Sequence, residues 1–351
     1  MQTLDETRCS IADIDPAAMD AAQVRLDSLT KPPGSLGRLE ELAARIAAIQ
    51  GTARPALDRK RVIVMAGDHG VVAQGVSPYP QEVTAQMVAN FAAGGAAINQ
   101  IAAWAGADVV VVDVGVAADV SGIEGIVHAK IRPGTDDMSQ GPAMSRAEAI
   151  AAMEVGLGLA NEAHAAGVDI VAIGEMGIGN TTAAAAVTAA LTGERPEVVV
   201  GPGTGLDPEG VARKARIVAR ALEVNDVDPE DPLGVVSCVG GLEIAGLAGV
   251  VVGCAAHGIP VVADGFISGA AALVASRYEP RAEQYLFLSH VSAEPGHLAV
   301  TGAFTTDPVL DLQMRLGEGT GAALAMGIID AACRCMSDMA TFEEAGVSDR
   351  E

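Results

Sequence analysis

Short apolar runs alternate along this chain with long alanine-rich helical stretches, and that alternation limits the fold more than any other feature. The runs are residues 61–66 (RVIVMA), 108–114 (DVVVVDV), 168–173 (VDIVAI), 259–263 (IPVVA) and 285–288 (YLFL). Each is short and apolar on both faces, as a strand covered by helices on each side must be. Helical patterns lie between them near 81–104, 145–166, 180–191, 208–224 and 242–257. Ser145 followed by Glu148 reads as a capping box. Repeated strand–helix units of this kind predict an α/β fold with a parallel sheet, helices on both faces and right-handed, Rossmann-like crossovers.

The two ends read differently. Residues 15–50 are helical apart from 29–37, and helix returns after Pro308, through 321–338. The expected organisation is an N-terminal helical segment (1–60), a sheet domain (61–307) and a C-terminal helical segment (308–351). The two end segments would complete one small helical subdomain built from both chain ends. The acidic tail from Thr341 is expected to fray. No repeat and no low-complexity linker divides the 351 residues.

Composition narrows the function. Aromatics are only 3% and glycines number 41, so layers can approach closely. With 22 basic against 45 acidic residues the net charge is −23, which disfavours nucleic acid and anionic membrane surfaces as partners. Five scattered cysteines fit a reducing compartment. The most membrane-like stretch, 244–263, is split by a Gly258-Ile259-Pro260 turn, and the first residues are acidic with no apolar signal core. A cytoplasmic protein is expected. Among only four lysines, each calls for a reason.

Four strand ends carry polar residues that a packed core would not choose: Asp68-His69 after the first run, G-E-M-G-I-G-N-T-T (174–182) after the third, Asp264 after the fourth, and Ser289-His290 after the fifth. A helix cap accounts for any one of them; four at one sheet edge indicate a site, because ligands bind beyond the carboxyl ends of parallel strands. The glycine-rich 174–182 loop before a helix offers free N–H groups and a positive dipole end to an anion. It lacks both Gly-Lys-Ser/Thr and G-x-G-x-x-G spacing. A second loop, Gly201-Pro202-Gly203-Thr204-Gly205, precedes the helix bearing Lys214. Lys214 and Arg315 could neutralise a phosphate there, or Lys214 could be a solvated helix residue. Glu318, between two glycines, could be a partly desolvated general base or an ordinary first-turn glutamate favoured by the dipole. The residues alone favour the second. No H-x-x-x-H pair and no G-x-S-x-G elbow occurs, so neither a metal nor a covalent nucleophile is expected.

Taken in order, T-K-P-P-G-S-L-G (30–37), A-G-D-H-G-V (66–71), G-V-S-P-Y-P-Q-E-V-T (75–84), G-E-M-G-I-G-N-T-T and R-L-G-E-G-T-G-A (315–322) closely resemble the nicotinate-nucleotide–dimethylbenzimidazole phosphoribosyltransferase family, from about Leu26 to Met336. The resemblance implies transfer of phosphoribose from nicotinate mononucleotide to 5,6-dimethylbenzimidazole, with inversion at C1′ and no cofactor. It makes Glu318 the general base, reversing the reading above, and gives Glu175 a role at the developing ribose charge. Gly177, Gly179, Thr181, Lys214 and Arg315 would hold phosphate and ribose, and Gly203 and Ser292 would also bind substrate. Ser77, Tyr79 and Gln86 would line the pocket for the flat base, with Met176 and Leu316 as its walls, and Asp264 would also contact substrate. Pro202 stands where relatives often carry arginine, which shifts weight onto Lys214 and Arg315. A homodimer is implied. A nicotinamide-dinucleotide enzyme on the same scaffold and a catalytically silent nucleotide-binding homologue are the other classes; titration with reduced dinucleotide would distinguish the first.

Overall fold

The computed structural model describes residues 3–348. Six parallel strands form one sheet in the order β3-β2-β1-β4-β5-β6, with β1 Lys60–Gly67, β2 Ala107–Gly115, β3 Val127–His128, β4 Ile170–Met176, β5 Val261–Ala263 and β6 Leu286–Leu288. The chain runs outward from β1 to β3, then returns to the other side of β1 as β4. The order therefore reverses between β1 and β4, the switch point at which open parallel sheets bind ligands. These strands end together: Met65 pairs with Glu175 and Ala66 with Met176.

Alternation along each strand sends neighbouring side chains to opposite faces. Ile63, Met65, Val171 and Ile173 pack beneath helices Arg146–Ala165, Asn180–Thr192, Leu242–Ala256 and Phe266–Tyr278. Val62, Val64, Ile170 and Ala172 face helices Glu82–Ala92, Ala97–Ala105, Arg38–Gln50 and Thr320–Asp338. Helices from both chain ends thus share one apolar layer with one face of the sheet. The glycine and alanine content has a direct use here. A Cβ at Gly156 would overlap the Gly246 carbonyl, and one at Gly249 the Met153 carbonyl, so helices Arg146–Ala165 and Leu242–Ala256 meet nearly backbone to backbone.

Several elements differ from expectation. The single helix foreseen at 81–104 is two, Glu82–Ala92 and Ala97–Ala105, because Gly94 adopts φ 76° and Gly95 meets Asn90. Strand β4 runs on to Met176, so Glu175 and Met176 belong to the strand and not to the loop after it. Helix Phe266–Tyr278 and the two-residue β3 carry no separate sequence signal. The tail does not fray at Thr341, which bridges Leu29 and caps the short helix Phe342–Ala345; residues 349–351 lie outside the described residues. The 244–263 stretch is a helix, a turn and β5, and among the described residues no helix is long and apolar enough to cross a membrane.

Candidate active site

A cavity of about 420 Å³ opens at the carboxyl edge of the sheet, directly above the switch point. Its floor is Glu175 and Met176 from β4, with Gly265 and Phe266 after β5 and His290 and Ser292 after β6. Val83 and Met87, one turn apart on helix Glu82–Ala92, join Tyr79 and Leu316 as an apolar wall. Thr181, Gly203, Thr204, Glu294 and Arg315 supply a polar end.

Glu318 is held by backbone geometry. Gly317, Glu318 and Gly319 all have positive φ, at 86°, 65° and 88°. A non-glycine residue in that region costs about 1–3 kcal/mol, so its surroundings must impose it. Asp264 supplies part of that restraint: its carboxylate accepts hydrogen bonds from Gly319 N at 3.1 Å and Ala322 N at 3.0 Å, on either side of the helix start. Gly174 supplies the rest, since a Cβ there would overlap the backbone of Glu318 and Gly319. The buried Glu318 carboxylate accepts a long hydrogen bond, 3.4 Å, from Ile98 N at the start of helix Ala97–Ala105. Burial pushes its pKa above the usual glutamate value, the Ile98 N–H opposes this, and nearby Asp264 adds to the rise.

Glu175 is pushed well above the ordinary range, first by burial and then by the negative fields of Asp264 and Glu243, with Glu318 adding a little. The Asn180 side-chain amide donates to it and opposes the shift. Gly317 has no room for a Cβ because the Glu175 carboxyl lies against it. Strand end and loop are thereby locked together.

At the polar end Lys214 is 1% exposed, the largest side chain so completely buried. Its ammonium donates to Thr181 Oγ1 at 2.8 Å and Gly201 O at 3.4 Å. Burial lowers its pKa to about 8, while the Glu294 carboxylate pulls the other way. Glu294 is itself buried with neither oxygen hydrogen-bonded, and burial raises its carboxyl pKa. Arg315 is exposed at the rim and donates to Gly203 O at 3.3 Å. Helix Asn180–Thr192 begins beside these groups after Gly179, φ 95°, with no side-chain cap. An uncapped helix start, a buried ammonium and a rim guanidinium form a cradle for an anion.

Ten of the expected residues line the cavity: Glu318, Glu175, Tyr79, Met176, Gly177, Thr181, Gly203, Ser292, Arg315 and Leu316. Lys214 lies immediately behind Thr181. Gly179 is the turn before the helix and Asp264 faces the Glu318 loop, so neither forms the wall itself. Ser77 is at the rim, 3.5 Å from Thr204 Oγ1. Gln86 is exposed and outside the lining, because Val83 and Met87 occupy the inward face of that helix. Val83, Met87, Phe266, Ile267 and Glu294 are lining residues that the expectation did not name. The first two follow an i, i+4 spacing visible in sequence; for Glu294 there is no local signal.

Comparison with known proteins gives a consistent result. A family model described as Phosphoribosyltransferase matches residues 11–347. The chain is 55% identical over 351 residues to the nicotinate-nucleotide–dimethylbenzimidazole phosphoribosyltransferase of Chloroflexus aggregans, covering 100% of this chain and 99% of that protein. It is 53% identical over 349 residues to the protein of the same name from Desulforamulus reducens, covering 99% of each. The crystal structure of CobT from Thermus thermophilus superposes with a TM-score of 0.92 at 51% identity, over 95% of this chain and 100% of that one.

Proposed function

The chain belongs to the nicotinate-nucleotide–dimethylbenzimidazole phosphoribosyltransferase family, and on that premise we propose that it moves phosphoribose from nicotinate mononucleotide to 5,6-dimethylbenzimidazole. The products are nicotinate and α-ribazole 5′-phosphate, the lower-ligand nucleotide of cobalamin. The observation that carries this reading is the pairing, in one cavity, of an anion cradle with a buried glutamate beside an apolar wall.

The phosphate lies against Thr181, Gly203 and the start of helix Asn180–Thr192, with Lys214 and Arg315 neutralising its charge. Tyr79, Met87, Met176 and Leu316 hold the flat base. One ring nitrogen of the benzimidazole attacks C1′ from the face opposite the pyridinium. The C1′–N bond to the pyridinium breaks, and its electron pair neutralises the ring, so the leaving group needs no acid. The attacking base must lose the proton on its second nitrogen, and Glu318 takes it. A base is most effective when its pKa approaches the working pH, and burial moves Glu318 in that direction. Glu175 is held toward its neutral form by burial and by its acidic neighbours. The pyridinium and the electron-poor C1′ favour its ionised form, so its charge develops as the substrate's does. Attack and departure on opposite faces convert a β-nucleotide into an α-nucleotide.

Purified protein given both substrates is expected to release nicotinate in equal amount to a new nucleotide whose anomeric proton shows the α configuration by NMR. A β product, or nicotinate release without a new nucleotide, contradicts the proposal.

A further inference from the structure

His290 follows β6 and is not absorbed by the mechanism above. It lines the cavity while only 2% exposed, so its ring is fixed and only one edge reaches the open space. The Nδ1 edge is taken. Ser289 Oγ is 2.8 Å away, and Asp264 Oδ1, on the carboxylate that holds the Glu318 loop, is 3.7 Å away. From behind, His297 donates through Nε2 to the His290 carbonyl at 2.9 Å, and its ring stacks at 6.3 Å. Gly321 and Gly265 complete the slot: a Cβ at Gly321 would overlap Nδ1, and one at Gly265 would be 3.3 Å from Nε2. His290 Nε2 has no hydrogen-bond partner among the described residues.

With the Ser289 hydroxyl accepting from Nδ1 and the Asp264 carboxylate, 3.7 Å away, favouring a proton on that side, the ring presents Nε2 as an acceptor. The cavity therefore contains a fixed acceptor on its floor. A nucleotide held by its phosphate at the cradle would set its ribose, with two hydroxyls, over this floor. Hydrogen bonds to the hydroxyl next to the reacting carbon strengthen as that carbon becomes electron-poor in glycosyl transfer. We propose that His290 accepts a hydrogen bond from the ribose 2′-hydroxyl and so acts on the chemical step, with Asp264 and Ser289 fixing its ring. This role rests on the phosphoribosyl transfer argued above.

The test compares His290→Gln, which puts an amide near the Nε2 position, with His290→Asn, which puts one near Nδ1. Each is assayed on nicotinate mononucleotide and on its 2′-deoxy and 3′-deoxy analogues. On the natural substrate His290→Asn is expected to lose roughly 10–100-fold in kcat/KM, mainly in kcat, while His290→Gln keeps most of it. On the 2′-deoxy analogue the wild type and both variants should converge, and on the 3′-deoxy analogue the gap should persist. A near-normal Asn variant beside an impaired Gln variant would show that the ring only anchors Asp264. Convergence on the 3′-deoxy analogue, or on neither, would also overturn the assignment. If the variants do not fold, ¹⁵N NMR of the wild-type ring decides. Ribose 5-phosphate should shift Nε2 and 2-deoxyribose 5-phosphate should not, and equal shifts contradict the contact. A wild type that transfers nothing contradicts the proposed function itself, whereas a wild type that transfers with these ratios reversed contradicts only the role of His290.

Discussion

A lysine ammonium with 1% exposure and only a hydroxyl and a carbonyl for direct partners is an unfinished site. Burying such a charge costs several kcal/mol unless something compensates it, and the depressed pKa of about 8 reflects that cost. A phosphate would supply the directly bonded counter-charge that the nearby Glu294 carboxylate, with neither oxygen hydrogen-bonded, does not. Lys214→Met keeps the stem and its packing but removes the charge. It is expected to raise the KM for nicotinate mononucleotide roughly 10–100-fold with kcat nearly unchanged, the weight of one charge-assisted hydrogen bond. An unchanged KM in steady-state kinetics would show that the phosphate binds elsewhere. At this scale the strand-end residues Glu175, Asp264 and His290 are legible in sequence, because polar groups after apolar runs are conspicuous. Glu294 is not, since its role depends on the fold bringing the chain after β6 beside the Lys214 helix. The family resemblance places Gln86 at the base pocket; in the structure it is exposed on helix Glu82–Ala92, adjacent in sequence to the cavity-lining Met87.

The loop at 317–319 and the end of β4 form one mechanical unit. Gly174 admits the loop backbone, so Gly174→Ala is expected to push Glu318 outward. Overpacking of this kind costs about 1–3 kcal/mol of stability, and turnover should fall by about tenfold or more because misplacement of a base is costly. An alanine variant with normal turnover would show that the close approach does not position Glu318. Helix Gly296–Thr301 contributes a second, pH-dependent element. His297 is fully buried, donates from Nε2 and has no partner on Nδ1, and burial lowers its pKa from 6.5 to about 4. Its folded pKa lies below the unfolded one. The stability tied to the neutral ring is therefore present above pH 6.5 and lost as pH falls toward 4. The amount is about 3 kcal/mol. His297→Gln keeps the donor without the titration, so its thermal midpoint should fall less between pH 7 and pH 4.5 than the wild type's; parallel curves would contradict this. Long helices such as Pro208–Val224 are readable from periodicity and proline at N1. The break at Gly94 and helix Phe266–Tyr278 are not, because the first lies inside an alanine-rich run and the second is buried on nearly every side, so neither shows a one-sided period.

Across the whole molecule, the reversal between β1 and β4 puts a cavity at the carboxyl ends of β4, β5 and β6. Parallel strands apolar on both faces are evident in sequence, but their lateral order is not, since nothing local encodes which strand flanks β1. We propose that two copies associate: light scattering should give about twice the 35.4 kDa chain mass, and a value at the chain mass would contradict a dimer. The proposed chemistry depends most on Glu318 taking the benzimidazole proton, so the turnover of Glu318→Gln tests it most directly. The isosteric amide retains the loop but cannot accept that proton. We expect kcat to fall roughly 10²–10⁴-fold with folding and nicotinate mononucleotide binding intact, and the acid limb of the wild-type pH profile to disappear with it. Turnover close to wild type would remove Glu318 from the mechanism.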